Sequence, residues 1–280
     1  MVNLFQYNTN HMSKEETDNK TILDDFELIT EIGTDLSQQF EGLFVDDQKK
    51  TKSTHFLAKG LDNSFSILKL IPESKYSESK ENYIDISSII SLCRNLVELS
   101  NIAWYLIEEK ISDKEFQLRL DILLYHDYIS SQTVFNQLFY EKETAGLLKN
   151  KADFYKKQIQ ENDHFQILNS GTRKLILKGK KSSIFTQFEI AEKRGLDLND
   201  FKAYYKLMSV HTHSSPSSIT QIVYKNAYDD ENNFGPLIVT YLINYCSSFL
   251  ASLIKSVTEL WNIKFAKADS ENLIEEYSEF

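Results

Sequence analysis

The stretch "GPLIVTYLINYCSSFLASLI", Gly235 to Ile254, decides what kind of protein this is. It carries no charge and is long enough to cross a bilayer as a helix, which takes about 20 apolar residues. Thr240, Asn244, Ser247 and Ser248, however, fall on one helical face at the i, i+4, i+7, i+8 spacing. That polar stripe makes the helix amphipathic. It suits the central helix of a water-soluble bundle better than a lipid-facing span, so no membrane partner is expected. Pro236 fits the first helical position, and the helix is expected to run from there to about Trp261.

Read outward from this helix, the rest of the chain has the same texture. The 280 residues hold three prolines, Pro72, Pro216 and Pro236, and eight glycines. Proline breaks helices, and the apolar residues recur mostly at three- and four-residue spacing. The expected fold class is therefore all-α: a single helical bundle with a long helical hairpin arm. Residues 1–20 read as a flexible N-terminal segment, 21–265 as one helical domain and 266–280 as an acidic, frayed tail. Thr21 is expected to cap a first helix whose core face recurs at Ile22, Phe26, Ile29, Leu36, Phe40 and Leu43. A basic linker, "QKKTKS", then leads to a second element that Pro72 ends.

The third helix, "IDISSIISLCRNLVELSNIAWYLIEE", is strongly apolar. Ser112 with Glu115 reads as a capping box that starts a long fourth helix, and "EKETAGLLKNKADFYKKQIQEN" folds back as the arm. "RKLILKGKKSS" is expected to turn at Gly179. Two further helices are expected to break at Gly195, the second capped by Asn199 or Asp200.

Composition narrows the function. The apolar fraction is 41% and the net charge is -10, with a pI near 5.2. A chain-wide acidic field works against a broad, sequence-independent nucleic-acid binder, because such binding rests on Lys and Arg neutralising phosphates. The run Arg173 to Lys181, with no acid, is the one place where a phosphate or an acidic protein partner would be drawn. Cys93 and Cys246 both sit in apolar runs, which points to buried thiols in a reducing compartment. No leader of secretory type opens the chain, and the expected location is the cytoplasm. There is no G-x-x-x-x-G-K-[ST], G-x-G-x-x-G, H-E-x-x-H, C-x-x-C or G-x-S-x-G, so no nucleotide or metal cofactor is expected.

Two places could hold chemistry. On the third helix Ser91, Arg94, Glu98 and Asn101 share one face, with Tyr105 a turn further. A charge buried on so apolar a helix needs a partner. It is either an internal Arg94–Glu98 ion pair or a polar site where Arg94 holds an anion and Glu98 orients a base. Later, Phe201, Tyr204, Met208 and His211 share a face, which aims His211 inward. His213 lies off that face, near the helix end that Pro216 implies. The readings are a structural histidine pair, an acid–base site, or a metal site of His211, His213 and Glu98. The expected catalytic set is Arg94, Glu98, His211 and His213, with Ser209, Asn101, Tyr204, Asn244 and Ser248 binding.

"CRNLVEL", "RKLILKG" and "YYKLMSVHTHSSPSS" before a long apolar helix together resemble a bacterial all-helical family of unknown function. In that family an R-x-L-x-E helix precedes a Y-x-x-x-S-x-x-x-H-like element, here Arg94 to Glu98 and Tyr205, Ser209 and His213. The resemblance spans roughly Ile84 to Trp261 and is distantly similar to the HEPN group, many of whose members cleave RNA. That group's signature, an Arg and a His with four to six residues between them, fits "RLDILLYH", which has six, and makes Arg119 and His126 an alternative catalytic pair. Leu120 departs from the pattern, standing where the group often has a polar residue. The resemblance implies a defence or stress protein with metal-independent RNA cleavage, RNA or a nucleotide as partner, and a homo-oligomer as an open option. The rival expectation is a non-catalytic interaction or ligand-binding bundle whose buried polar residues are structural.

Overall fold

The computed structural model describes residues 12–77, 84–212, 234–265 and 267–279. Among them are eleven α-helices, one π-turn and no strand. The helices are α1 (Met12–Gln38), α2 (Gln48–Lys69), α3 (Ile86–Ala103), α4 (Asp113–Gln137), α5 (Lys142–Glu161) and α6 (Asp163–Gln166). They continue with α7 (Ser170–Leu177), α8 (Gln187–Lys193), α9 (Leu198–Thr212), α10 (Phe234–Trp261) and α11 (Ala268–Ser278). The π-turn, Trp104–Glu108, closes α3. The all-α expectation holds.

Packing groups the chain into two compact units. One comprises the chain before Glu108 together with everything from Ala191 on, and the other is Glu108–Ile190. Neither boundary has a Pro/Gly/Ser-rich linker in the sequence, so no linker signal marks the division.

In the first unit α10 lies against α1, α2, α3 and α11, and α3 also packs on α2 and α9. The uncharged stretch 235–254 lies in α10, the core helix of this unit. Leu242, Cys246, Phe249, Leu250, Leu253 and Ile254 are fully buried on it. By length and hydropathy it is also the one described helix able to cross a membrane, but most of that window is covered by its neighbours. Phe26 and Ile29 of α1, Leu57 and Ile67 of α2, and Ile89, Ile90 and Leu96 of α3 complete the core. Cys93 and Cys246 meet inside it, with the Cys246 thiol 3.8 Å from the Cys93 carbonyl and its pKa pushed well up by burial.

In the second unit α4 and α5 pair as the expected hairpin, with α6 against both. Its core is Leu118, Ile122 and Tyr125 of α4, Ala152 and Ile159 of α5, Phe165 of α6 and Ile176 of α7.

Local chemistry explains where the helices stop. Gly179 (φ 66°) and Gly195 (φ 81°) end α7 and α8 in the same way. The Lys180 N–H donates to the Leu175 carbonyl and the Leu196 N–H to that of Ala191, each a Schellman closure that favours glycine at the left-handed position. Ser112 accepts from the Glu115 N–H as expected, but the Glu115 carboxylate turns to Arg119 instead of completing the box.

Several boundary expectations are corrected. Helix α1 begins at Met12, so Thr21 is an interior residue and not its cap. The basic "QKKTKS" is the first part of α2, capped by Asp47, whose side chain accepts from the Lys50 N–H; one intervening acid was enough to start the helix. Asp197, not Asn199 or Asp200, caps α9, accepting from both their N–H groups. The acidic tail is not frayed along its length. Ile274 of α11 is buried, Tyr277 donates to Asp25 at 2.7 Å and Lys255 pairs with Glu275 at 3.6 Å. Its apolar residues, spaced for one helical face, outweighed its net charge.

The α1–α2–α10 junction depends on close approach at Gly33. A Cβ there would stand 2.8 Å from Leu61 Cδ2 and 3.0 Å from Ile254 Cδ1. Gly33→Val is expected to lower stability by about 1–3 kcal/mol through overpacking, measured by denaturant unfolding.

Candidate functional site

The mainly apolar side of α3 meets α10, where Ser100 donates to the Phe249 carbonyl at 3.0 Å, and most of its polar residues face elsewhere. They form a seam against α9 and the turn before it. At one end the Ser87 hydroxyl lies 3.3 Å from His211 Nδ1, and Thr212 reaches Ser91 at 3.5 Å. In the middle Arg94 Nε donates to Glu98 at 2.8 Å and Arg94 Nη2 to the Tyr205 hydroxyl at 3.1 Å, while Tyr205 donates to the same Glu98 oxygen at 2.6 Å. The guanidinium carbon stands 4.9 Å from the centre of the Tyr205 ring. At the far end Arg194 donates to Asn101 Oδ1 at 2.7 Å and to Ser252 at 2.8 Å, and reaches Ser100 at 3.4 Å. Ser87, Arg94 and Asn101 are seven residues apart, so these three rungs are spaced by about 10 Å along α3.

Burial works against the Arg94 charge, but Glu98 and the Tyr205 oxygen outweigh it and hold the guanidinium above its ordinary pKa. Burial and the adjacent Glu98 carboxylate push the Tyr205 phenol up, so it stays a donor. The triad is not sealed: the Arg94 side chain is 17% exposed and that of Glu98 33%. His211 is buried, and its ring has Ser87 as a neighbour.

The expected site residues therefore separate into rungs. Arg94 and Glu98 are joined, with Tyr205 as their third member, while His211 belongs to a rung two turns of α3 away. Ser209 gives its hydroxyl proton to the Tyr205 carbonyl. Asn101 is fully buried on the Arg194 rung. Tyr204 stacks on Tyr245 at 4.1 Å. Asn244 is exposed and Ser248 half-buried on α10. His213 lies outside the described residues, as does the "SSPSS" that follows it. Among the described residues no three His, Cys, Asp or Glu side chains gather as metal ligands would.

Sequence reasoning missed Arg194. Its signal was present: it is one of only four arginines, in the last helical turn before a helix-ending glycine, where a cation is favoured. What it would touch was not readable, because Asn101 and Ser252 are far away in sequence.

The alternative pair lies in the second unit. Arg119, 1% exposed, is held between Glu109 and Glu115 at 2.5 Å each, with the Phe185 ring 5.4 Å from its guanidinium. His126 Nδ1 is 2.8 Å from the Gly179 carbonyl, a contact that in the neutral ring puts the proton on Nδ1 and leaves Nε2 as the acceptor. The basic run forms α7 and the turn after it. Arg173 donates to Gln166 and Lys181 to the Ile184 carbonyl, while Lys174, Lys178 and Lys180 are exposed.

Two expected outcomes follow from this unit. Arg119→Met leaves two carboxylates with a lost counter-charge and is expected to cost about 3–5 kcal/mol in equilibrium unfolding. Asp121, buried beside Gln117, has its carboxyl raised by burial from 3.8 to about 6, with the Gln117 hydrogen bond opposing. Between those two values the folded chain holds the proton more tightly than the unfolded one, so stability falls as pH rises through the window. Asp121→Asn is expected to flatten that slope, worth on the order of 3 kcal/mol, in melts taken from pH 4 to 7.

A protein-family model described as "Family of unknown function (DUF5677)" matches residues 54–232, which takes in most of α2 and all of α3 through α9. No curated protein and no solved structure matches the chain.

Proposed function

The chain belongs to the DUF5677 family, and from that premise we propose that the α3–α9 seam binds a phosphate-bearing ligand, RNA or a nucleotide, and acts on RNA by proton transfer. The observation that carries this reading is the partly open Arg94–Glu98–Tyr205 triad on the polar side of a helix whose apolar side is core. An arginine held flat by a carboxylate and a phenol is oriented before any ligand arrives, and its planar fork suits a phosphate. Arg194 extends the positive charge along the same seam.

In this reading His211, or His213 beyond it, removes the proton from a ribose 2′-hydroxyl. The 2′-oxygen forms a bond to the neighbouring phosphorus, the bond from phosphorus to the 5′-oxygen breaks, and that oxygen takes up a proton. Arg94 offsets the charge that builds on the phosphate oxygens. No metal enters the step. Arg119 and His126 could serve the same two roles in the second unit, but Arg119 is enclosed by two carboxylates and fits such work less well.

A second reading is favoured by a specific observation: Glu98 already neutralises Arg94, and His211 is only 5% exposed. The seam then fixes helix packing, and the protein is a non-catalytic interaction or ligand-binding bundle.

An RNA-cleavage assay with the full chain separates the two. If the first reading holds, wild type leaves 2′,3′-cyclic phosphate ends. Arg94→Ala and His211→Ala then lose on the order of a hundredfold or more in rate, and His126→Ala does not. If wild type is inactive and binds no RNA, while the same two variants lower the melting temperature, the seam is structural.

A further inference from the structure

The second unit concentrates the exposed apolar surface. Of the fourteen large hydrophobic side chains exposed among the described residues, nine lie between Val134 and Phe188. Its charge is also distinct. Glu108–Ile190 carries 13 Lys and Arg against 12 Asp and Glu, whereas the whole chain has 31 against 41. Surface that is apolar and close to neutral is where like-charged copies of an acidic protein can meet with least repulsion.

Helix α5 shows how they could meet. Ala145, Ala152 and Ile159, seven residues apart, are buried. Ala152 and Ile159 pack in the same core as Leu118, Ile122 and Tyr125 of α4. The opposite side of α5 carries Glu143, Leu147, Asn150 and Phe154 at the i, i+4, i+7, i+11 spacing, with Gly146 and Lys157 alongside. Leu147 is 61% and Phe154 57% exposed, and the others are exposed too. The Phe154 ring rests edge-on against Tyr155, 5.2 Å away, which holds it outward. A glycine in a helix interior is costly, and outside its own helical backbone no described residue lies within 4 Å of where a Gly146 Cβ would be. The fold itself has no need of glycine there; a second helix approaching closely would.

The order of these residues is self-complementary. Asn150 is the midpoint between Glu143 and Lys157. A second α5 laid antiparallel with Asn150 on the twofold axis sets each Glu143 level with the partner's Lys157. It sets each Leu147 beside the partner's Phe154. Among the described residues Lys157 has an exposed contact to Glu161 at 3.8 Å, which competes weakly. The helix is about 30 Å long. Antiparallel pairing brings the hairpin end with exposed Leu138, Phe139 and Tyr140 over the region of the partner's α5 C-terminus, where Ile167 is 80% exposed. We propose that this protein self-associates through the outer face of α5, as an antiparallel twofold pair centred on Asn150. The pairing does not depend on what the α3–α9 seam does.

The test is the mass of the full chain in solution, by light scattering across the micromolar range, with far-UV circular dichroism to confirm folding. Wild type is expected to be a dimer and Phe154→Glu a monomer with unchanged helicity. Glu143→Lys and Lys157→Glu are each expected to weaken association about tenfold, and the double exchange to restore it. Register is read separately. Asn150→Cys is expected to form a disulfide-linked dimer under mild oxidation with oxidised glutathione, since Cys93 and Cys246 are fully buried, and Asp153→Cys, off the face, is not. A wild-type monomer at all concentrations would overturn the proposal. So would a dimer indifferent to Phe154→Glu, or an Asn150→Cys chain that does not cross-link. Binding to anionic lipid vesicles that Phe154→Glu abolishes, with wild type monomeric, would assign the face to a membrane instead.

Discussion

A helix with no charge over twenty residues has to bury most of its surface, and the first unit is organised around that demand on α10. Helices α1, α2, α3 and α11 each give up an apolar face to it. Glycine at Gly33 and Gly60 lets side chains from α10 come within 3.0 Å of where a Cβ would be. Once α3 has committed its apolar side in this way, its remaining polar side has one place left to go, the seam with α9. The candidate site is thus a by-product of core packing, which is why it runs along a helix as three evenly spaced rungs and is not gathered in one cleft.

Arginine and lysine are used differently throughout. Arg94, Arg119 and Arg194 all join helices or turns through multiple hydrogen bonds, and each has an aromatic ring about 5 Å from its guanidinium. Only Arg173, with a single contact to Gln166, resembles a surface residue. The planar guanidinium can satisfy several acceptors and stack at once, whereas an ammonium is a compact, strongly hydrated charge that does better outside. Each inward arginine carries a desolvation cost that its partners must offset, so the same geometry that suits a phosphate also suits a clamp between helices.

Much of the fold was legible. The 3–4 spacing of apolar residues gave the helices, Gly179 and Gly195 marked their ends, and the Ser112 cap was visible. The boundaries that were misread share one cause. Thr21, the "QKKTKS" segment and the acidic tail were judged on local polarity, while burial of Ile274 and the cap from Asp47 depend on neighbours that polarity does not describe. The site was legible to the level of a face. Arg94 with Glu98 follows from a spacing of four on one helix. Tyr205 and Arg194 complete the rungs across more than ninety residues of chain.

The sequence by itself determined the helical class, the inward aim of His211 and the shared face of Arg94 and Glu98, because each depends on the 3.6-residue period within one helix. Only the tertiary structure decided the division into two units, the distribution of Arg94 and His211 over different rungs, and the joining of Arg194 to Asn101 and Ser252. Those depend on how far one helix slides along another before its core side chains lock. That distance is set by shape and volume at the contact, and no periodicity records it.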